Sequence, residues 1–358
     1  MMPGRPENKP VIFHWLWEGI FRGAERIVAK AFCDNTEGPF EHRVILGKAY
    51  GPLIGAGQGR YCLNMVHGAD IAHLLKIRDI LDSVDKKILC LHQVNPYLLA
   101  YAPRQYPTVY VEHGQSRMWK GRVRDVLWRF AWRSANPRIA GIAAVSGFAQ
   151  RIFMERNLSC QKLVTVIHNP LLIEPGQPRT VLNKPLRVGF CGSLSREKGT
   201  LDVIECAKLL HGTLDAEFVM IGDGPLRRAL EKSAADLKLP FLFTGAVANV
   251  REYLMNVDVL LAPSQEDTFN LAVLEAMAVG AVPIVYPTGG LAEIVIHLEN
   301  GIVTEEKSPL ALARCLRNIA GGPKGFVRMS KSAYTRATND FNLEQYRRKW
   351  DSFFSALL

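Results

Sequence analysis

The sequence lacks the features that would place it in several common protein classes. No apolar run approaches the roughly 20 residues that a membrane-spanning helix needs. The apolar stretch at residues 11–17 is short and contains His14, so it predicts a first strand rather than a signal-peptide core. The seven cysteines are scattered without a CxxC pair. This pattern predicts reduced core residues in a cytosolic protein rather than disulfides or metal ligands.

Length and charge then define what is present. A chain of 358 residues is long for one core, and two domains are expected. Residues 1–180 carry 24 basic and 14 acidic residues, a net charge of +10, whereas residues 181–358 carry 20 of each. A basic half suits an anionic lipid, a phosphorylated substrate or a nucleic acid. Because no recognition motif accompanies the charge, we expect no nucleic-acid partner.

Short apolar runs alternate with amphipathic ones along the whole chain. This alternation predicts βαβ units and parallel sheets. The candidate strands are residues 11–15, 44–46, 87–91, 108–112, 141–145, 164–167, 187–191, 217–221, 241–245, 257–261 and 282–286. Residues 168–185 contain four prolines and predict a linker between the two halves.

The stretch 262–278 combines acids with the start of a helix. Glu266 and Asp267 follow a buried strand, and a helical pattern begins at Leu271. Open α/β sheets bind ligands at such strand-to-helix loops, where helix N–H groups favour a phosphate. Glu275 lies about one turn into the helix and can face the same space. The alternative is a capped helix with solvated acids.

Three further loops carry candidate site residues. Gly23 opens a helix after the first strand, which permits close backbone approach to a ligand or simply makes a flexible turn. His113 precedes a glycine at a strand end, either as an active-site group or hydrogen-bonded to a nearby loop. Residues 192–199 place Arg196 and Lys198 before a helix, where they can hold a diphosphate. That loop matches neither the P-loop nor GxGxxG, which argues against a dehydrogenase.

Residues 117–138 form a strongly basic helical pattern with one acid. At helical spacing Val126 and Phe130 fall on a face that we expect to pack inward, along with Trp119, Val123 and Leu127. Trp128 and Trp132 fall on the opposite face among arginines, as at a membrane interface. The alternative is a solvated basic helix whose tryptophans pack on a neighbouring element.

An ordered set of motifs in the second half resembles the family 4 glycosyltransferases, the group 1 glycosyltransferases. The motifs are Gly192-Ser193-Leu194-x-x-Glu197-Lys198-Gly199, Ile221-Gly222-Asp223-Gly224-Pro225-Leu226, Phe243-x-Gly245, Pro263-Ser264 with Phe269, Glu275-Ala276-Met277-Ala278-x-Gly280-x-x-Pro283-Ile284-Val285, Gly289-Gly290-x-x-Glu293-Ile294-Val295 and Asn300-Gly301. Looser similarities lie in the first half, at Gly23-Ala24-Glu25-Arg26, His113-Gly114, Val145-Ser146 and Ile167-x-Asn169-Pro170.

The resemblance implies a GT-B fold of the α/β class, with two Rossmann-like parallel-sheet domains facing a central cleft. Residues 1–170 would bind the acceptor and residues 171–340 the nucleoside-diphosphate sugar, while a helix at residues 341–358 would return to the first domain. The family transfers sugar with retention of configuration and without a metal, so the resemblance implies no cofactor and no metal. A UDP-, GDP- or ADP-sugar would be the donor substrate.

The resemblance also implies roles for individual residues. Arg196 and Lys198 would neutralise the departing diphosphate. His113 would approach the donor sugar, and Glu275 would bind the ribose hydroxyls. The remaining donor-binding positions are Gly23, whose loop would close over the diphosphate, Ser193, Gly222, Gly245, and the helix N-terminus at Asn270, Leu271 and Ala272.

This chain departs from the family pattern at three of these positions. Ser193 replaces the usual arginine, so either Arg196 supplies the charge from half a turn later or phosphate binding is weaker. The first acid of the family's Glu-x7-Glu pattern falls on Asp267, with Glu266 just before it, and either contacts the sugar hydroxyls. Asn270 replaces the usual glycine.

The sequence therefore predicts a hexosyltransferase that extends a glycan or a lipid-linked acceptor in cell-surface polysaccharide or glycolipid biosynthesis. We expect a cytoplasmic protein, peripheral on the inner face of the membrane if residues 117–138 bind anionic lipid. The alternatives are a GT-B enzyme with a soluble small-molecule acceptor and a non-catalytic GT-B subunit that binds a partner.

Overall fold

The computed structural model divides the chain into two compact units. The first unit comprises Met1–Pro170 and Leu343–Leu358, and the second comprises Leu171–Asn342. The residues that the structure describes are 9–18, 23–34, 38–48, 60–64, 71–92, 105–114, 126, 129–130, 132–134, 136–156, 162 and 164–358.

A seven-stranded parallel sheet forms the centre of the first unit, in the order β3-β2-β1-β4-β5-β6-β7. Its strands are β1 (Val11–Glu18), β2 (Glu41–Lys48), β3 (Arg60–Cys62), β4 (Lys87–His92), β5 (Thr108–Glu112), β6 (Ile139–Ala144) and β7 (Val164–Val166). Its described helices include α1 (Gly23–Val28), which continues as a π-helical turn (Ala29–Cys33), α2 (Ile71–Asp82) and α3 (Gly147–Arg156). The predicted strands all form, and β3 is one that the sequence pattern did not indicate.

The second unit repeats this plan with a six-stranded parallel sheet in the order β10-β9-β8-β11-β12-β13. Its strands are β8 (Leu186–Cys191), β9 (Ala216–Ile221), β10 (Phe241–Gly245), β11 (Val259–Ala262), β12 (Val282–Val285) and β13 (Ile302–Val303). Its helices are α4 (Thr200–Leu210), α5 (Arg227–Asp236), α6 (Val250–Leu254), α7 (Leu271–Ala278), α8 (Leu291–Ile294), α9 (Pro309–Gly321) and α10 (Pro323–Asp340). Both strand orders are those of doubly wound α/β domains, which confirms the predicted fold class.

Continuous apolar strands explain why both sheets are buried on two faces. All four residues of β11 and all four of β12 are buried. Parallel strands covered by helices on both sides need such runs, because neither face meets water. The helices on the second sheet supply matching apolar faces, as Val203, Ile204 and Leu210 of α4 show.

The last helix, α11 (Leu343–Ser355), belongs to the first unit, as the predicted fold requires. Its buried face consists of Tyr346, Trp350 and Phe354, spaced four residues apart. The guanidinium of Arg347 donates to the carbonyls of Lys30 and Ala31 in the π-helical turn, at 2.9 and 2.7 Å. The aromatic spacing thus anchors α11 against the first sheet.

The proline-rich segment predicted as a linker is anchored to the second unit. The N–H of Gly176 donates to the carbonyl of Ala278 at 2.9 Å. The guanidinium of Arg179 donates to the carbonyls of Leu254, Met255 and Val257, which follow the end of α6. Residues 171–185 are therefore part of the second unit and not a free connection.

The basic segment 117–138 corrects the predicted assignment of helix faces. Trp132 is 3% exposed and packs edge-on against Tyr110 and Phe153, with ring centroids 4.8 and 4.9 Å away. Val126 and Phe130, predicted to pack inward, are 65% and 74% exposed. The predicted burial is therefore reversed at Val126, Phe130 and Trp132, whereas Trp128 and most of the segment lie outside the described residues.

Two other expectations are qualified by the structure. All six described cysteines are free thiols, but only Cys90 and Cys206 are buried in the core; Cys33, Cys191 and Cys315 are half-buried and Cys62 is exposed. The described helices include none that is both long enough and apolar enough to cross a bilayer.

Candidate active site

Glycines line the carboxyl ends of three neighbouring strands in the second unit. Gly192, Gly222 and Gly245 follow or end β8, β9 and β10, and all three have positive φ. The N–H of Gly222 donates to the carbonyl of Gly245 at 3.0 Å, and a Cβ on Gly222 would lie 2.0 Å from the carbonyl oxygen of Gly192. Only glycine permits this close packing, so the strand ends present backbone without side chains.

Two loops meet at this sheet edge, which we call the basic loop (residues 192–199) and the acidic loop (residues 263–270). Gly199 has φ 68°, and a Cβ there would lie 2.0 Å from the carbonyl oxygen of Pro263. The N–H of Gln265 donates to the carbonyl of Glu197 at 2.8 Å. Backbone contact therefore fixes the spacing between the two loops before any ligand binds.

A salt bridge joins the two loops at their centre. Lys198 Nζ lies 2.7 Å from Asp267 Oδ2, and the Asp267 side chain is only 7% exposed. Asn270 Nδ2 donates to the same carboxylate oxygen at 3.0 Å. Glu266, by contrast, is exposed on the acidic loop. The structure thus places Asp267 rather than Glu266 in contact with the basic loop.

The N-terminus of α7 is capped by its own sequence. Asn270 Oδ1 accepts from the N–H groups of Ala272 and Val273 at 3.1 and 3.3 Å. The N–H of Ala272 was predicted to serve a phosphate, but here the asparagine cap already satisfies it. Leu271, the first residue of α7, directly follows the cap. Glu275 lies in the second turn of α7 and is 2% exposed.

The rest of the basic loop is oriented toward solvent. Ser193 and Arg196 are exposed, and Arg196 forms no ion pair within the described residues. Between them Leu194 is fully buried, with its N–H donating to the carbonyl of Asp223 at 2.9 Å. This anchor holds the loop against β9 while its charged side chain remains available to an anion.

The predicted site residues of the first unit lie at the ends of β5 and β1. His113 directly follows β5, and Gly114 beside it has φ 108° and donates its N–H to the buried Glu112 carboxylate. His113 Nε2 lies 3.1 Å from His92 Nδ1. Burial lowers the pKa of His113 to about 4, so its ring is neutral at physiological pH. Gly23 begins α1, but residues 19–22 before it lie outside the described chain.

Sequence reasoning missed that His113 is the end of a row of histidines. His14, His42 and His92 come from three different strands and are hydrogen-bonded in series to His113. Their positions along the chain show no common spacing, so only the pairing of strands reveals the row. The ligand atoms of His14, Cys90 and His92 also lie within 4.8 Å of one another.

Part of the second unit is similar to known glycosyltransferases. Residues 185–321 match the family model described as glycosyl transferases group 1. Over 138 residues the chain is 38% identical to a GDP-mannose-dependent alpha-(1-6)-phosphatidylinositol dimannoside mannosyltransferase of Mycobacterium tuberculosis, covering 37% of this chain and 35% of that protein. Over 121 residues it is 33% identical to a GDP-mannose-dependent alpha-mannosyltransferase of Corynebacterium glutamicum, covering 33% and 27%. The matches thus span about a third of the length of these curated relatives.

Solved structures extend the likeness to nearly the whole chain. HepE of Anabaena in complex with UDP superposes with a TM-score of 0.78 at 17% identity, over 97% of this chain and 100% of that one. Sucrose-phosphate synthase of Thermosynechococcus elongatus superposes with the same score at 16% identity, over 97% and 99%. At such identities the likeness concerns the fold. Residues 185–321 thus resemble the group 1 glycosyltransferases, and nearly the whole chain shares the GT-B fold of the solved structures.

Proposed function

We propose that the protein transfers a hexosyl group from a nucleoside-diphosphate sugar to a glycan or lipid-linked acceptor, with retention of configuration and without a metal. The observation that carries the proposal is the Lys198–Asp267 pair beside the glycine-lined strand ends. It brings a cation for the diphosphate and a carboxylate for sugar hydroxyls to one point at a strand-end edge. Open α/β sheets bind ligands at such edges.

The chemistry of the step needs positive charge where the leaving diphosphate develops negative charge. Lys198 Nζ, now held by Asp267, exchanges this partner for a phosphate oxygen, and exposed Arg196 adds a second cation. Cations fixed in this way stabilise the departing group more in the transition state than in the ground state. They supply the positive charge that other enzymes take from a divalent ion.

The other predicted residues complete the donor site in this proposal. Asp267, once Lys198 turns to phosphate, accepts hydrogen bonds from the sugar hydroxyls. Glu275 accepts from the ribose hydroxyls, and His113 binds the sugar. Gly222 and Gly245 let the nucleotide approach the backbone.

GDP-mannose is the donor that we place first, ahead of UDP- and ADP-sugars. Two of the similar proteins are described as GDP-mannose-dependent. HepE, whose likeness is in the fold, was solved with UDP. A thermal-shift screen across GDP-, UDP- and ADP-sugars ranks these donors, because a ligand that binds only the folded state raises Tm.

Nucleotide release tests the enzyme proposal. We expect one donor to release its nucleoside diphosphate with EDTA present, and Lys198→Ala to reduce that rate by about 10²–10³-fold. Lys198→Arg keeps the positive charge and is the matched control. We expect it to reduce the rate of nucleotide release less than Lys198→Ala does. No release from any donor, together with no nucleotide-induced shift in Tm, would support the alternative of a non-catalytic subunit. Retention is tested by the anomeric configuration of the product.

The exposed face of residues 126–134 supports an acceptor at a membrane. Val126 and Phe130 are exposed apolar side chains, and Arg129 and Arg133 beside them are exposed. Apolar side chains flanked by arginines suit the headgroup region of an anionic bilayer. We therefore propose peripheral association with the cytoplasmic face of a membrane, through Val126 and Phe130.

Liposome co-sedimentation tests this association. The double variant Val126→Ser and Phe130→Ser should lose binding to vesicles that contain anionic lipid. Leu209→Ser, which removes an exposed apolar side chain from the second unit, should not. If both variants sediment as the wild type does, the soluble-acceptor alternative gains, as the inward packing of Trp132 already favours.

A further inference from the structure

A row of four imidazoles crosses one face of the first sheet. We call His42, His14, His92 and His113 the histidine chain. His42 Nδ1 lies 2.9 Å from His14 Nε2, His14 Nδ1 lies 3.0 Å from His92 Nε2, and His92 Nδ1 lies 3.1 Å from His113 Nε2. The four rings come from β2, β1, β4 and the residue after β5, which are neighbours in the sheet.

The strand register explains why the rings meet. His42 is paired with Ile12, two residues before His14; His14 is paired with Cys90, two residues before His92. His92 is paired in turn with Val111, two residues before His113. Side chains two residues apart share a face of the sheet. Each histidine is therefore diagonal to the next one, which lies two residues closer to the carboxyl edge on the neighbouring strand. The histidine chain therefore runs from the start of β2 to the ligand-binding edge of the sheet.

Neutral rings make the histidine chain directional. Burial lowers the pKa of His42 to about 4 and holds the pKa values of His14 and His92 well below the usual range. A neutral imidazole donates from one nitrogen and accepts at the other. When three such bonds are made in series, the position of one proton fixes all the others, so the chain has only two states of opposite direction.

Two neighbours of the histidine chain favour the same direction. Burial raises the pKa of the Cys90 thiol, so it remains S–H, and its Sγ lies 3.4 Å from His92 Nε2. As a donor the thiol needs a nitrogen that carries no proton, so this contact favours a His92 ring with its proton on Nδ1. At the other end of the histidine chain, the positive charge of Arg347 acts on His42. This charge favours His42 as the end that has an unprotonated nitrogen and no outward N–H. Both effects direct every N–H from His42 toward His113.

We propose that His42, His14 and His92 are positioning residues that fix His113 as the tautomer with its proton on Nδ1. His113 then accepts from His92 at Nε2 and carries its proton on Nδ1, so toward a substrate oxygen it is a hydrogen-bond donor rather than a base. The hydrogen bond at one ring nitrogen sets the protonation of the other. The role of His113 toward substrate rests on the proposed function, whereas its tautomer does not.

The group formed by His14, Cys90 and His92 also has the composition of a metal site. Structural zinc sites in proteins use four ligands, and the described residues offer three. The 3.0 Å separation of the two ring nitrogens and the extension to His42 and His113 are both explained by hydrogen bonds. Hydrogen bonding accounts for all four rings, whereas a metal accounts for two.

Long-range ¹H–¹⁵N correlation spectra of the full chain, labelled at its nine histidines, test the inference directly. We expect His113 to be a single Nδ1–H tautomer, with its signals assigned by His113→Gln. His14→Leu interrupts the chain and should make His113 a mixture of tautomers, whereas His211→Leu, an exposed histidine of the second unit, should change nothing. His42→Phe removes the first ring at a half-buried position and should give the same mixing if His14→Leu does not fold.

Three results would overturn the inference. They are an Nε2–H tautomer of His113 in the wild type, an unchanged tautomer when the chain is interrupted, and one equivalent of bound metal that Cys90→Ala removes. None of these readouts requires activity. A protein with the expected tautomer but without transferase activity contradicts the proposed function alone, and an active protein with the wrong tautomer contradicts this inference alone.

Discussion

The two units place chemistry at a strand-end edge by opposite means. In the first unit, His113 is one of four imidazoles, two buried and two half-buried, whose pKa values burial lowers, so the row is uncharged. In the second unit, Lys198 and Asp267 form a charged pair between two glycine-rich loops. Burial without partners of opposite charge favours the neutral form, whereas pairing favours the charged one. The first unit should therefore lose stability in acid, whereas the charged pair of the second unit should lose its function when one of its charges is removed.

The largest expected effect is acid lability of the first unit. His42 and His113 have pKa values of about 4 when folded, against 6.5 when unfolded. Above pH 6.5 neither state binds these protons, so stability is complete. Below it only the unfolded chain binds them, and the free energy of unfolding falls as pH drops from 6.5 to 4. Each histidine contributes up to about 1.4 kcal/mol per pH unit.

Tryptophan fluorescence measures this effect in the first unit alone, because all six tryptophans belong to it. Urea unfolding at several pH values should give midpoints that fall with pH. His42→Gln should reduce the change in urea midpoint per pH unit, and His211→Gln should leave it unchanged. Equal slopes in the wild type and His42→Gln would show that the histidine chain does not resist protonation.

The next largest effect is expected at the charged pair of the second unit. Asp267→Asn removes the carboxylate that now holds Lys198, so nucleoside diphosphate should bind more tightly by about five-fold, on the order of 1 kcal/mol. Transfer should nevertheless fall by one to two orders of magnitude, because the mutant loses its charged acceptor for sugar hydroxyls. Calorimetric titration and a transfer assay measure these opposite changes.

Glu266→Gln is the matched control for that prediction. It removes the same charge from the adjacent residue, whose side chain is exposed on the acidic loop. We expect both affinity and transfer to change by less than two-fold, since exposed charges are screened. A larger loss from Glu266→Gln than from Asp267→Asn would assign the sugar contact to Glu266.

The same comparison explains what the sequence could predict. Strands such as β11 and β12 are continuous apolar runs because both faces of a parallel sheet are buried, so their positions were evident. The short β3 and β13 carry too few residues for a pattern. The charged loops of the second unit are local in sequence, and their glycines and charges could be identified directly.

Contacts that depend on strand register or helix orientation could not be predicted. The histidine chain exists only because three pairs of strands are aligned with one offset. Helical spacing divides residues 117–138 into two faces without saying which is covered, so Trp132 and Phe130 were assigned the wrong way round. Asp267 and Glu266 are adjacent, and only the position of Lys198 distinguishes them.

The smallest expected effect concerns the cap that separates Asp267 from the helix. Asn270→Ala removes the acceptor for two N–H groups of α7 and should cost about 1 kcal/mol. Asn270→Asp keeps an equally good cap, so propensity alone predicts no change. However, it replaces the Nδ2 donor with an oxygen beside the nearly buried Asp267 carboxylate. We therefore expect Asn270→Asp to be at least as destabilising as Asn270→Ala.

Thermal unfolding followed by far-UV circular dichroism measures these changes, because the second unit contains no tryptophan. Ser308→Ala removes the hydroxyl cap of α9, remote from the charged loops in sequence, and gives the loss expected for an ordinary cap. A neutral Asn270→Asp would mean that the Lys198 ammonium compensates a second carboxylate. The charged cluster would then depend on its total charge, and the hydrogen bond from Asn270 to Asp267 would contribute little to its stability.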